Sequence, residues 1–214
     1  MHPRAEELIQ QLNLEPHPEG GYYRRIHRSE SRVLREADGT RRRALTSIYY
    51  LLTEGSLSRW HRVLADEAWH HYEGAPLELL GFAADVPLTF SHRLGPLQGN
   101  AVDTAVIPTG RDCRYPEHRE VNLVCPPWQL GSGNPCRNDE ENLNSTALPL
   151  QEGDSPVYVV PAGWWQAARP LGAYSLVGCT VGPGFEFEDF TLLADLPEVE
   201  RPAYPSFADF SLFL

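Results

Sequence analysis

A histidine and a glutamate in the segment GSLSRWHRVLADEAWHHYEG (55–74) are the clearest candidates for chemistry in this chain. His61 and Glu67 flank a predicted turn at Leu64, and each lies in a short run typical of a β-strand. If the two strands pair as a hairpin, opposed side chains have Cβ atoms about 5 Å apart. A carboxylate can orient the imidazole and favour its protonated form, so we predict a catalytic pair of His61 as general base and Glu67 as its partner. The alternative is a structural pair that satisfies two buried polar groups.

Further side chains near this pair are candidates for ligand binding. Strand alternation puts Trp69 and His71 on the face of Glu67. Gln166 could donate a hydrogen bond to a substrate oxygen, and Tyr22 or Tyr72 could act as the opposing acid. The full predicted set of ligand contacts is Trp69, His71, Gln166, Tyr22, Tyr72, Trp165 and Arg24. The aromatic members offer a stacking surface for a sugar or planar ligand, although large aromatics are also ordinary core residues.

The rest of the chain predicts the elements that position these residues. Residues 3–14 have the apolar spacing of a short amphipathic helix. Short apolar or alternating runs between frequent Pro and Gly turns then predict strands of an all-β sandwich or barrel. Residues 98–152 are rich in Pro, Gly and Asn and have weak periodicity. We predict one domain over 1–214, with 98–152 as a surface insertion.

Composition excludes several function classes. The net charge of −11 argues against a nucleic-acid partner, which needs a basic face. All 18 basic residues are arginine, so no lysine Schiff base or P-loop lysine exists. Eight arginines lie between Arg24 and Arg43; we interpret them as a solvated face paired with the acidic remainder, with Arg24 and Arg25 available to a pocket. No membrane-length apolar run and no secretory signal occur, which favours a cytoplasmic location without a membrane partner.

Much of the chain resembles a family of small cupins from bacteria and fungi that is described mainly as a domain of unknown function. The resemblance is carried by PHPEGGYYRRIHRS (16–29), LTSIYYLLTEG (45–55), the segment SRWHRVLADEAWHHYEG within 58–80, and VVPAGWWQA within 159–190. It implies a double-stranded β-helix, or jelly-roll barrel, with an internal pocket and a homodimer formed by strand exchange. It also implies a likeness to metal-free sugar-nucleotide epimerases of the cupin class, in which a histidine–carboxylate dyad abstracts a proton beside a carbonyl.

The chain departs from the usual cupin pattern at two metal-ligand positions. Val63 replaces the second histidine of the H-x-H motif, and Gln166 stands where the second motif, through Pro161 and Gly163, normally ends in histidine. His61 and Glu67 alone fall short of the two histidines and one carboxylate of a non-haem iron site. We therefore predict no metal and no cofactor.

Four functions remain open on the sequence alone. The first is a metal-free isomerase or epimerase acting on a carbohydrate-like or keto-acid substrate. The second is a non-catalytic protein that binds a small molecule in the same pocket. A metal-dependent cupin enzyme is disfavoured by the missing ligands, and a structural dimer with a vestigial pocket is disfavoured by the polar residues of the pocket.

Overall fold

The computed structural model describes residues 1–85, 88–97, 154–202 and 210–214. These residues form one N-terminal helix, α1 (Pro3–Gln11), and an otherwise all-β fold. The strands in chain order are β1 (Glu15–Pro16), β2 (Tyr22–Arg28), β3 (Arg32–Leu34), β4 (Arg41–Arg43), β5 (Thr46–Thr53), β6 (Ser58–Val63), β7 (Asp66–Gly74), β8 (Leu77–Phe82), β9 (Thr89–Leu94), β10 (Val157–Val160), β11 (Trp165–Pro170), β12 (Tyr174–Gly182) and β13 (Phe190–Leu192). Short 3₁₀ helices cover Phe187–Asp189, Leu193–Asp195, Glu198–Glu200 and Phe210–Phe213. The predicted insertion at 98–152 lies outside the described residues.

Two antiparallel sheets form the body of the fold. One has six strands in the order β1-β2-β5-β12-β7-β10, and the other has five in the order β13-β6-β11-β8-β9. Alternate side chains of each sheet point into the space between them, where Trp69 and Val177 of the first sheet pack with Leu79 and Ala168 of the second. The predicted all-β fold with a short N-terminal helix is therefore confirmed.

Three further apolar clusters lie among the described residues, and two of them attach the chain ends to the sheets. Helix α1 begins with Pro3 in its first turn and buries Ala5 and Leu8 against Leu51 and Leu176 of the six-stranded sheet. The C-terminal 3₁₀ segment packs in a second cluster against the five-stranded sheet, with members Trp60, Leu80, Phe82, Trp165, Ala167, Leu193, Phe210 and Phe213. No helix in the described part of the chain is long and apolar enough to cross a membrane.

The expected hairpin between the strands of His61 and Glu67 is wrong. Strand β6 pairs with β11 and β13, whereas β7 pairs with β10 and β12, so the two strands belong to different sheets. The short connection at Leu64 and Ala65 is thus a corner between sheets. His61 and Glu67 come from opposite walls of the fold instead of neighbouring positions on one wall. Alternation could not distinguish these cases because it sets which face a residue occupies, not which strand it pairs with.

Candidate functional site

A cavity of about 70 Å³ contains both residues of the predicted catalytic pair. This is several times the roughly 10–15 Å³ that one water molecule requires. Its lining comes from the β1–β2 connection, from β2, β5, β6, β7 and β12, and from the segment around β13. The lining residues are His17, Glu19, Tyr23, Arg25, Thr46, Ile48, His61, Val63, Glu67, Cys179, Val181, Phe185, Phe187 and Phe190. A set of titratable groups therefore shares one small space with an apolar wall.

The His61 ring is held in one tautomer by two acceptors. Its Nδ1 lies 2.8 Å from the backbone oxygen of Arg59 and 3.1 Å from Oε2 of Glu19. A carbonyl oxygen can only accept, so Nδ1 carries the proton and Nε2 of the neutral ring keeps its lone pair. The ring is 2 % exposed, and burial lowers the pKa of His61, with the nearby Glu67 carboxyl opposing this shift. Burial therefore outweighs the carboxylate, contrary to the expectation that a partner would favour the charged ring.

Glu67 is held by a chain of hydrogen bonds that crosses the interior. Gln166, the strand partner of His61 on the five-stranded sheet, donates from Nε2 to Oε2 of Glu67 at 2.7 Å. Its Oε1 accepts from Nε1 of Trp69 at 3.0 Å, which fixes the orientation of the amide because an indole can only donate. Burial raises the pKa of the Glu67 carboxyl, with His61 opposing the shift. Burial thus shifts the protonation equilibria of both Glu67 and His61 toward the neutral form.

The carboxylate that contacts the imidazole is Glu19, a residue that the sequence analysis missed. The orienting role predicted for Glu67 is filled in this geometry by Glu19, which is 5 % exposed. Burial raises the pKa of the Glu19 carboxyl, and His17, whose Nδ1 lies 3.7 Å from Oε1, opposes the shift. An acidic residue between two prolines and two glycines, in the PHPEGG segment, was the available signal because such a turn is rigid.

The turn that presents Glu19 requires glycine at position 20. Gly20 has φ +115°, and a Cβ there would lie 2.0 Å from the backbone oxygen of Leu57. Two hydrogen bonds anchor the turn. The Tyr50 hydroxyl donates to the backbone oxygen of Gly20 at 2.8 Å, and the backbone N–H of Arg59 donates to the backbone oxygen of Glu19 at 2.9 Å. Any side chain at this position must displace backbone next to Glu19.

We therefore expect Gly20→Ala to lower the free energy of unfolding by about 2 kcal/mol or more. Gly39→Ala is the matched control, since Gly39 also has a positive φ (+68°) but no described atom lies within 4 Å of the position that a Cβ would occupy there. The control incurs only the conformational cost of about 1 kcal/mol. Urea denaturation of both variants provides the measurement, and equal losses would show that the clash is not as described.

The residues present do not fit a bound metal of the usual cupin type. Val63 lines the cavity with an apolar side chain, and both polar ends of the Gln166 amide are used by Glu67 and Trp69. Within the described ranges, no three His, Cys, Asp or Glu side chains are arranged to hold a metal ion. The donor set that remains suits proton transfer and hydrogen bonding.

Three of the predicted ligand contacts are buried and lie outside the lining of this cavity. Trp69 is fully buried in the core between the sheets, and Gln166 supports Glu67 from behind. Trp165 packs with Trp60 and the C-terminal segment, and the guanidinium of Arg62 lies 5.0 Å from its ring centroid. A direct ligand contact for these side chains stays a prediction.

The other four predicted contacts also lie outside the lining. Tyr22 packs in the cluster beneath α1, and Arg24 donates to the Leu12 oxygen at 3.0 Å. His71 Nε2 lies 3.1 Å from the Ala75 oxygen, and Tyr72 is 50 % exposed. Their roles in ligand binding stay predictions, as do the homodimer and the cytoplasmic location.

Comparisons with known proteins agree with this fold. A family model described as Cupin superfamily (DUF985) matches residues 6–115 and 128–193. A hypothetical protein from Leishmania major is 27 % identical, covers 92 % of both chains and has a TM-score of 0.60. A protein from Shewanella oneidensis is also 27 % identical, covers 94 % of this chain and 98 % of its own, and has a TM-score of 0.55. No curated protein matches the chain.

The family match covers most of the chain, and the two facing antiparallel sheets form the jelly-roll barrel that the resemblance implied. The chain belongs to the cupin superfamily, in the family of unknown function DUF985.

Proposed function

We propose that this protein is a metal-free isomerase or epimerase that moves a proton at a carbon atom beside a carbonyl, in a carbohydrate-like or keto-acid substrate. The observation that carries the proposal is the state of His61. Its Nδ1 is tied to the Arg59 oxygen and to Glu19, so the lone pair of the neutral ring is on Nε2. A buried neutral imidazole with one nitrogen fixed in this way is suited to act as a general base.

Proton abstraction by His61 creates a positive imidazolium and a negative enolate, and each of these charges is stabilised by a separate side chain. The substrate C–H bond breaks, its proton goes to Nε2, and its electron pair moves into the carbonyl to form an enolate. The imidazolium that forms is stabilised through Nδ1–H by Glu19, 3.1 Å away. Glu19 acts here as the carboxylate although burial raises its pKa, because the charges of His17 and Arg59 oppose that shift. Glu19 thus favours the charged ring when it is needed, while burial keeps the resting ring neutral.

Glu67 supplies the complementary acid. Its raised pKa favours the protonated form, which can donate a hydrogen bond to the carbonyl oxygen as negative charge develops there. Return of a proton to the same carbon from another direction gives epimerisation, and return to a neighbouring carbon gives isomerisation. A base and an acid whose environments favour opposite roles are the pattern expected for such chemistry.

Exchange of substrate hydrogen with solvent deuterium tests the proposal. We expect the wild-type protein to catalyse incorporation of deuterium beside the carbonyl in at least one member of a panel of small keto acids and sugars, followed by NMR. If panel members bind and none exchanges, the protein is a non-catalytic binding protein and the proposal is wrong.

A further inference from the structure

One arginine lines the cavity and has no anionic partner among the described residues. Arg25 is exposed, and its guanidinium forms no hydrogen bond or ion pair with any described residue, although its charge acts on the neighbouring Tyr23. Its neighbour Arg24 points to the other face of β2 and donates to the Leu12 oxygen. Three other arginines of this region form ion pairs with acidic side chains: Arg28 with Glu186, Arg35 with Asp38, and Arg42 with Asp189.

The position of Arg25 is set by the alternation of β2. Tyr23 and Arg25 occupy the same face and both line the cavity, and Ile48, the strand partner of Arg25 on β5, lines it too. The register of β2 shifts directly after Arg25, between it and His27. Such an irregularity in a ladder is a common device for aiming a side chain at a site.

The buried end and the open end of the cavity are therefore lined by different kinds of residue. Its buried end holds Glu19, His61 and Glu67, each less than 10 % exposed. Arg25 and Phe187, which is 59 % exposed, are in contact with solvent. Phe187 packs edge-on against Phe185 and Phe190, so the lining beside the open end is aromatic. A ligand that fills this space meets a cation near solvent and the acid–base groups inside.

We infer that the substrate is a small anionic carbonyl compound whose carboxylate or phosphate is bound by Arg25 at the open end of the cavity, with the reacting carbon directed toward His61. This inference rests on the proposed function and narrows its substrate class, because a neutral sugar has no anionic group to pair with the Arg25 charge. A guanidinium is well matched to either anion because its planar N–H groups bind two oxygens at once. In a chain of net charge −11, a guanidinium that is paired with no described carboxylate is also the feature of the cavity's open end that attracts an anion locally.

Two matched pairs of ligands test the inference by calorimetric titration. Pyruvate and pyruvamide share a ketone but differ in the carboxylate, and dihydroxyacetone phosphate and dihydroxyacetone differ in the phosphate. We expect the wild type to bind the charged member of at least one pair more tightly, and the pair that shows this identifies the anion. Arg25→Gln should weaken the charged ligand about tenfold and leave the neutral ligand unchanged.

Arg32→Gln is the control for net charge, since Arg32 lies on the β3–β4 hairpin outside the cavity lining. It should retain the preference for the charged ligand. The inference is overturned if neither charged ligand is preferred in the wild type, or if Arg25→Gln changes charged and neutral ligands alike. Loss of the preference in Arg32→Gln would overturn it as well.

Deuterium exchange with the same four ligands separates this inference from the proposed function. If charged ligands bind more tightly through Arg25 but no ligand exchanges its hydrogen for deuterium, the proposed isomerase activity is refuted and the anion site is retained. If deuterium exchange is lost on replacing His61 but is unchanged on replacing Arg25, the isomerase activity is retained and the anion site is refuted.

Discussion

Replacing His61 by glutamine is expected to lower the rate of substrate deuterium exchange by about 10²–10⁴-fold, the usual contribution of a positioned general base. The amide can still donate toward the Arg59 oxygen, but it has no lone pair basic enough to take a proton from carbon. Ligand affinity should change far less than the exchange rate, because binding does not need the base. Exchange followed by NMR and affinity measured by calorimetry together give this comparison.

His92→Gln is the matched control for the loss of a buried histidine. His92 lies on β9, is 6 % exposed, and burial lowers its pKa as it does for His61. It does not line the cavity, so the exchange rate of this variant should equal that of the wild type. An equal fall in both variants would point to a general loss of structure, and full activity of His61→Gln would remove His61 from the mechanism.

Glu67→Gln is expected to reduce exchange by about 10²-fold or more while making the folded protein more stable at neutral pH. The amide keeps the shape of the side chain, and its oxygen can still accept from Gln166 Nε2. Burial raises the pKa of Glu67 above its ordinary value of 4.5. The stabilisation of the fold by protonated Glu67 is therefore fully present below pH 4.5 and is lost as the pH rises through the pKa of the folded state. The stability gain, about 1 kcal/mol, should therefore grow from pH 4 to pH 8, as thermal denaturation across this range will show.

Glu78→Gln provides the contrasting case on the same fold. Glu78 accepts from Arg169 Nε at 2.6 Å in a partly exposed ion pair, so its replacement should lower stability slightly and leave exchange intact. The account of Glu67 fails if Glu67→Gln is less stable than the wild type at pH 8, or if its exchange rate is unchanged.

The sequence predicted the elements better than their pairing. The alternation within β6 and β7 correctly placed His61 and Glu67 in short strands with inward side chains, because that pattern depends only on neighbouring residues. The pairing of these strands with β11 and β12 depends on long-range contacts that alternation does not encode. A two-residue connection at Leu64 suits a hairpin as well as a corner between sheets, and the hairpin was the wrong choice.

The site was predictable only in part for a related reason. His61 and Glu67 stood out because motif spacing joined them within one short segment. Arg25 was named from the sequence only as available to a pocket, and Glu19 was missed. Both come from a distant segment that reaches the cavity because β2 pairs with β5 and the backbone oxygen of Glu19 accepts from the backbone N–H of Arg59. The sign of the pKa shift at His61 was also missed, since it follows from burial that only the packed structure reveals.

The protonation state of His61 in the ligand-free protein can be measured directly by ¹⁵N NMR of the imidazole across a pH titration. We predict a neutral ring with the proton on Nδ1, the lone pair on Nε2, and a pKa below the ordinary value of 6.5. A ring that carries its neutral-state proton on Nε2 would contradict the role of His61 as the base, and a pKa at or above 6.5 would contradict the dominant effect of burial on the ring.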